Sequence, residues 1–369
     1  MLTRIYVDNF RCLVNFDLKF DRLDLFLGPN GSGKSSVLEV LARLQWFLLG
    51  INAVEDSFPG ADLTRWQSLS VQQFVLEVVA GGRNYFYELV TDLAPDGRGR
   101  RVTRERLTLD GNPLFLAEDG TAQLFDAGSH PVAQYPLDWT KSGLGGLPPL
   151  PNNRFVGEFR DELSRFVIVH PCPPLMSASS NKEHRFLLSR CENFASWYRF
   201  LSQEHQGKIL GLVNELRRLL PEFDSFSLRE AGENVRLLKI LRRMPGDGGK
   251  TTLYSLDELS DGERALVVLY TLVFGLKGLG YSLFLDEPDN YVSLREIQPW
   301  LTALHDACGN GLEQAVLISH HPEVIDYLAG SAGRWFDRPD GGPVRVTDKP
   351  AFQVDGLTPS ETIARGWES

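Results

Sequence analysis

Gly28-Pro29-Asn30-Gly31-Ser32-Gly33-Lys34-Ser35 carries glycines, a lysine and a hydroxyl at the spacing needed to wrap a chain of phosphates. Glycines let successive backbone N–H groups turn inward around phosphate oxygens. A helix beginning at Lys34 would present its positive end to the same anion. In that pattern Lys34 reaches the β- and γ-phosphates and the Ser35 hydroxyl ligates Mg²⁺, while Asn30, Gly31, Ser32, Gly33 and Ser36 complete the cradle. A glycine-rich turn that binds nothing fits the same residues. The apolar run before it and the helical pattern after it are the context that favours phosphate. Further along, Leu283-Phe284-Leu285-Asp286-Glu287-Pro288 is an apolar strand ending in two acids. Two acids after a strand are ordinarily solvated surface. In a chain with a phosphate loop, Asp286 is expected to hold Mg²⁺ through water and Glu287 to polarise the attacking water.

These residues need elements to position them. Leu23 to Leu27 reads as a buried strand leading into the loop, and Lys34 to about Leu49 as a helix with Val37, Leu38, Val40, Leu41 and Leu44 at helical spacing. Residues 2–8 and 14–20 alternate like two strands joined through Asn9-Phe10-Arg11. Val71 to Val79, Asn84 to Thr91 and Arg101 to Leu109 read as an antiparallel section, with turns at Gly81-Gly82 and Asp96-Gly97. Residues 117–153, rich in Gly and Pro, read as loops. Residues 155–169 read as a helix running into a strand, and 182–220 as helical up to Pro221. Leu266 to Leu276 reads as an apolar helix, and Tyr281 to Leu285 and Ala315 to Ser319 as buried strands.

The 369 residues suffice for a large core, and 43% hydrophobic with 23% charged is an ordinary globular balance. A formal net charge of −10 makes the chain a poor general binder of polyanions, so any nucleic-acid contact must be a local patch. Five arginines, Arg98, Arg100, Arg101, Arg104 and Arg106, are the one such candidate; a solvated hairpin explains them equally well. Cys12, Cys172, Cys191 and Cys308 are scattered, which argues against a disulfide framework or a zinc site and fits a reducing cytoplasm. Met1 to Arg11 does not read as a signal peptide, and no apolar run reaches the length of a membrane span.

Leu259-Ser260-Asp261-Gly262-Glu263-Arg264 precedes the apolar helix and resembles the signature motif of ABC ATPases, usually Leu-Ser-Gly-Gly-Gln. It departs from that form at Asp261 and Glu263, as non-transporter members do. A serine N-cap with Glu263 as its capping-box partner would look the same, and both roles can coexist. The resemblance implies that Ser260 and Gly262 contact the ATP of a second subunit. Ile318-Ser319-His320-His321-Pro322 resembles the switch-histidine segment, with His320 as the γ-phosphate contact and His321 as the fallback. Asp289-Asn290-Tyr291 stands where relatives carry a loop that crosses the dimer interface. The resemblance also implies a glutamine ligand for the metal, with Gln67 chosen over Gln72 and Gln73, and a nucleotide contact from Arg11.

The chain is similar to stand-alone ABC-class ATPases usually labelled AAA-type, of the RecF, SMC and overcoming-lysogenization-defect groups. Ile5-Tyr6-Val7-Asp8-Asn9-Phe10-Arg11 looks like the opening strand of that branch, and Ser360 to Trp367 resembles the closing segment of its stand-alone members. A transporter ATPase fits less well, because more than 200 residues separate Ser35 from Leu259. The expected fold class is α/β: an ABC-type P-loop core with an antiparallel β section and an inserted helical subdomain. The expected parts are 1–155, 156–250 and 251–369. The resemblance implies ATP and Mg²⁺ as ligands, with Lys34, Glu287 and His320 as catalytic residues. It further implies an ATP-dependent homodimer and a separately encoded effector, such as a nuclease, in anti-phage defence. The alternatives are a RecF-like DNA-repair ATPase that clamps DNA and a nucleotide-gated scaffold with little hydrolysis.

Overall fold

A computed structural model describes residues 1–95, 97, 99–118, 120–148, 150–244, 250–348 and 356–366. The chain forms two compact units. One comprises Met1–Phe166 and Gly333–Pro350, the other Val167–Ala332 and Ala351–Ser369. Asp96, Arg98 and Trp367, which the sequence reading used, lie outside the described residues.

The first unit opens with β1 (Leu2–Asp8), β2 (Phe16–Lys19), β3 (Leu23–Leu27), α1 (Lys34–Leu48) and α2 (Val54–Ser57). It continues through β4 (Gln72–Ala80), β5 (Arg83–Leu93), β6 (Arg100–Leu109), β7 (Asn112–Glu118), β8 (Thr121–Phe125), β9 (Pro131–Pro136) and α3 (Arg154–Ser164). Eight of these strands form one antiparallel sheet in the order β2-β1-β4-β5-β6-β7-β8-β9. Period-two alternation buries one face: Phe74, Leu76 and Val78 of β4 and Tyr85, Tyr87 and Leu89 of β5 are inside. Phe159 of α3 stacks on Tyr85 and Tyr87, with ring centroids 5.7 and 5.9 Å away.

The sheet extends three strands past the sequence expectation, since 117–153 holds the end of β7 and all of β8 and β9. Pro131 and Pro136 sit at the ends of β9, the edge strand, where a missing N–H disrupts the ladder least. The arginine cluster is also not one surface. Arg100 is buried and donates to the Ser70 carbonyl, Gln72 Oε1 and Thr91 Oγ1 at 2.6 to 2.8 Å. Arg104 pairs with Glu118, while Arg106 is exposed.

Glu105 of β6 is fully buried. Its carboxylate accepts from Tyr87 Oη at 3.1 Å, Ser142 Oγ at 2.6 Å and the Gly143 N–H at 2.7 Å. Burial outweighs these donors and pushes the carboxyl up from its ordinary 4.5 to about 7. Between those two values the folded state holds a proton that the unfolded chain has released, so stability falls as pH rises. The expected loss is about 3 kcal/mol from about pH 5 to about pH 8. Urea unfolding at both pH values should show a shallower dependence in Glu105→Gln than in the wild type. Parallel slopes would remove Glu105 as the source.

The second unit contains β10 (Phe166–Val169) from Val167 on, β11 (Ser179–Ser180), α4 (Phe194–Glu204), α5 (Gln206–Leu219), β12 (Phe223–Gly232), β13 (Val235–Arg243) and β14 (Thr251–Ser255). It then runs through α6 (Asp261–Tyr270), β15 (Ser282–Asp286), α7 (Leu294–Ala307), β16 (Gln314–Ile318), α8 (Pro322–Ala332) and α9 (Pro359–Ala364). β15 and β16 are parallel and fully in register, Ser282 opposite Gln314 and Asp286 opposite Ile318. The expected helix over 182–220 is two helices. Residues 182–193 are irregular, with the Asn193 side chain bridging the Leu188 N–H and the Phe186 carbonyl. The apolar helix expected from Leu266 starts earlier, at Asp261, and widens into a π-helical stretch over Thr271–Gly275. There Thr271 Oγ1 donates back to the Val267 carbonyl at 2.6 Å, a bond that competes with the regular ladder.

The chain then returns to the first unit as β17 (Gly333–Asp337) and β18 (Arg345–Asp348). β17 lies parallel to β3, with Leu25 opposite Gly333, and antiparallel to β18. Phe26 and Phe336 pack at 4.6 Å between ring centroids. Beside them Arg334 is held by Asp24 and Asp21 at 2.8 and 2.9 Å and by Asp348 at 2.6 Å.

Candidate nucleotide site

In the first unit, β3 ends at Leu27 and the glycine loop follows at once. Gly28 has φ 134°, and a Cβ there would lie 2.1 Å from the Phe336 carbonyl oxygen. Gly33 caps α1 at φ 98°, and a Cβ there would lie 2.6 Å from Val344 Cγ2. Both positions exclude a side chain, so the loop is packed against β17 and the 344 segment rather than merely flexible. Gly31, at φ 79°, meets nothing within 4 Å and leaves its backbone open. Lys34 is buried, and its ammonium donates to the Gly28 and Pro29 carbonyls at 2.8 and 2.9 Å. Asn30 and Ser35 are exposed, Ser32 and Gly33 buried, and Ser36 half-buried beside Cys12.

Arg338, which no motif signalled, bonds this loop from beyond β17. Its guanidinium donates to the Gly31, Gly341 and Gly342 carbonyls at 3.2, 2.6 and 2.9 Å, and its centre lies 5.6 Å from the Trp66 ring centroid. The only route from sequence to that role is the fold, which brings β17 alongside β3.

Asn9, with φ 61°, organises the segment that carries Gln67. Its side chain donates to the Leu69 and Val71 carbonyls and accepts from the Thr64 N–H at 3.0 Å. Of the three glutamine candidates, Gln72 is buried between the Asn9 carbonyl and Arg100, and Gln73 donates to Glu88 at 2.8 Å. Gln67 has its Oε1 buried without a hydrogen-bond partner. Arg11, at φ 51°, is already engaged. Its guanidinium bonds Asp62 at 2.7 Å and both oxygens of Glu39, and Arg43 bonds the same two acids. The two guanidinium centres lie 5.4 and 5.5 Å from the Phe10 ring centroid. Asp62 and Glu39 therefore hold Arg11, and a contact to nucleotide would have to share it with them.

In the second unit, β15 delivers Asp286 and Glu287 at its carboxyl end. Glu287 has φ 46°, a left-handed backbone uncommon outside glycine, held by its N–H bond to the Ile318 carbonyl at 2.9 Å. Asn290 Nδ2 donates to Glu287 Oε2 at 2.8 Å, which orients the carboxylate. Asp289 is buried. Desolvation raises its pKa, against the Ser319 hydroxyl and the charge of His321. The two histidines differ. His320 is exposed, whereas His321, just before α8, accepts through Nδ1 from the Glu323 N–H at 3.2 Å.

Ser260 is the N-cap of α6 in a complete capping box. The Glu263 N–H bonds Ser260 Oγ at 3.3 Å, and the Ser260 N–H and hydroxyl bond Glu263 Oε2 at 2.9 Å. Burial raises the Glu263 carboxyl, but these bonds and the Arg242 guanidinium outweigh it and hold it below its ordinary range. A Cβ on Gly262 would meet the Tyr291 carbonyl oxygen at 2.9 Å, so the turn at Ser260–Gly262, expected as the signature, packs directly on Tyr291.

Residues 1–46 match the AAA ATPase domain family. Over 132 residues the chain is 35% identical to an OLD nuclease from Thermus scotoductus; the match covers 32% of this chain and 24% of that protein. Solved structures with a similar fold include an SMC head bound to the C-winged helix domain of ScpA, with TM-score 0.56, 13% identity, and 94% of this chain and 97% of that one covered. The SMC head domain from Thermotoga maritima aligns at TM-score 0.46 and 14% identity, over 94% and 98% of the two chains. Among the described residues no helix is long and apolar enough to cross a membrane. The mixed α/β fold with its large antiparallel sheet is similar to the fold of the SMC head.

Proposed function

We propose that the chain binds ATP with Mg²⁺ and hydrolyses it as an ABC-class ATPase, closing head to tail with a second copy. The observation that carries this reading is the phosphate loop itself: two glycines that exclude any side chain, an open Gly31 backbone, and Lys34 at the first position of α1. The donor set also fits the metal. The Ser35 hydroxyl, the Gln67 amide oxygen and the Asp286 carboxylate are hard oxygen ligands of the type Mg²⁺ takes. When bound, Mg²⁺ would neutralise charge developing on the phosphates. Lys34 would hold the β- and γ-phosphates, and Arg11 would contribute a nucleotide contact. Glu287, oriented by Asn290, would take the proton of the attacking water, and exposed His320 would contact the γ-phosphate. Ser260 and Gly262 would act on the nucleotide of the other subunit.

The wider role we propose is regulation or powering of a separately encoded effector, such as a nuclease, in anti-phage defence. The likeness to an OLD nuclease supports it. That match spans about a quarter of the relative's length, and nuclease chemistry belongs to the relative. The DNA-clamping alternative keeps Arg101, Arg104 and Arg106 as its candidate residues, with Arg104 paired to Glu118, while Arg100 is an internal structural residue.

Mixing two inactive variants tests shared sites. Lys34→Ala and Ser260→Arg leave the mixed dimer with one doubly damaged site and one sound site. About half the dimers are mixed, so activity should return to roughly a quarter of wild type. The expected value holds for sites that fire one at a time, so absence of recovery, with mixed dimers shown to form by mass spectrometry, would overturn either the shared arrangement or independent firing.

A further inference from the structure

Beside the signature turn, within the second unit, lies a hollow of about 350 Å³. Its floor is apolar and buried: Phe223, Ile240, Leu259, Leu266 and Val267. Its rim is not. Glu222, Glu263 and Glu296 stand there against a single guanidinium, Arg242. Arg242 is already committed to Glu263, lies 3.7 Å from Glu222 and stacks 5.3 Å from the Tyr254 ring centroid. Glu222 and Glu296 are both exposed. The hollow therefore offers an aliphatic floor with surplus negative charge around it, the complement of an apolar side chain between cations.

We propose that this hollow is a docking pocket for a partner polypeptide that inserts one aliphatic side chain flanked by lysine or arginine. The floor removes the aliphatic group from water, and the flanking cations compete with Arg242 for Glu222 and with the Ser293 hydroxyl for Glu296. Occupancy also reaches the signature turn. An incoming cation competes with Arg242 for Glu263, and Glu263 is the residue that holds both the N–H and the hydroxyl of Ser260. Docking itself is independent of the nucleotide reading; only its consequence for ATP turnover through Ser260 rests on it.

The test uses a fluorescein-labelled peptide, Lys-Lys-Leu-Leu-Lys-Lys, titrated with the full chain without nucleotide. Fluorescence polarisation should saturate. Binding should weaken at least about tenfold when glutamates replace the peptide's lysines, when serines replace its leucines, or in the double variant Glu222→Lys with Glu296→Gln. Both substituted positions are exposed, and a thermal melt confirms that the variant folds. Hydrogen exchange at the Glu263 amide should quicken in the peptide complex, because that N–H is held by Ser260 Oγ. A titration that does not saturate, equal affinity for the glutamate peptide, or unchanged binding by the double variant overturns the pocket. Unchanged exchange at Glu263 overturns its link to the signature turn. Loss of ATPase activity by itself bears on the nucleotide reading and leaves the binding result standing.

Discussion

Lys34→Ala is expected to weaken ATP binding by about a hundredfold or more. The ammonium would make charge-assisted bonds to two phosphates, each worth roughly 1.5 to 3 kcal/mol, and about 1.4 kcal/mol is tenfold in affinity. The substitution also removes the bonds from Lys34 Nζ to the Gly28 and Pro29 carbonyls, so loop damage must be separated from lost charge. A thermal melt makes that separation, because the glycine loop is held independently by Arg338 and by packing on Phe336 and Val344. Calorimetric titration with ATP and Mg²⁺ should show loss of binding in a variant that melts within a few degrees of the wild type. Wild-type affinity in that variant would remove the loop as the nucleotide site.

Glu287→Gln is expected to leave ATP binding intact and to slow hydrolysis by roughly a hundredfold or more, the usual contribution of a positioned general base. Glutamine keeps the shape, and its amide oxygen can still accept from Asn290 Nδ2. It tolerates the φ of 46° at this position no worse than glutamate does, so the backbone gives no second explanation for a loss of rate. With turnover blocked, bound ATP should hold two copies together, and light scattering in saturating ATP and Mg²⁺ should report a dimer. Persistent monomers would sink the ATP-closed arrangement, and undiminished hydrolysis would move the base elsewhere.

The local chemistry was legible in the sequence because it depends on short-range geometry. A strand, a glycine turn and a helix start fall within a dozen positions, so Leu23 to Lys34 are legible as a strand–loop–helix, although distant Phe336, Val344 and Arg338 pack and bond the loop. The acid pair at the end of β15 and the Ser260–Glu263 capping box are legible for the same reason: each is complete within a few residues. The α/β class follows from the switch between period-two and helical spacing along the chain.

Tertiary structure alone decided what depends on residues far apart in the chain. β8 and β9 are short and bounded by Gly and Pro, so their pattern reads as loop until β7 supplies a partner edge. Arg100 looks like part of a basic patch, yet the sheet turns it inward, where Ser70, Gln72 and Thr91 accept from its two terminal nitrogens. Gln72 and Gln73 cannot be told from Gln67 by spacing, and they separate only through the bonds that Asn9, Arg100 and Glu88 make with them. Arg338 reaches Gly31 across some three hundred positions because β17 lies beside β3. A sequence pattern records which residues can bury, bond or turn; only the fold determines which distant partner satisfies each of them.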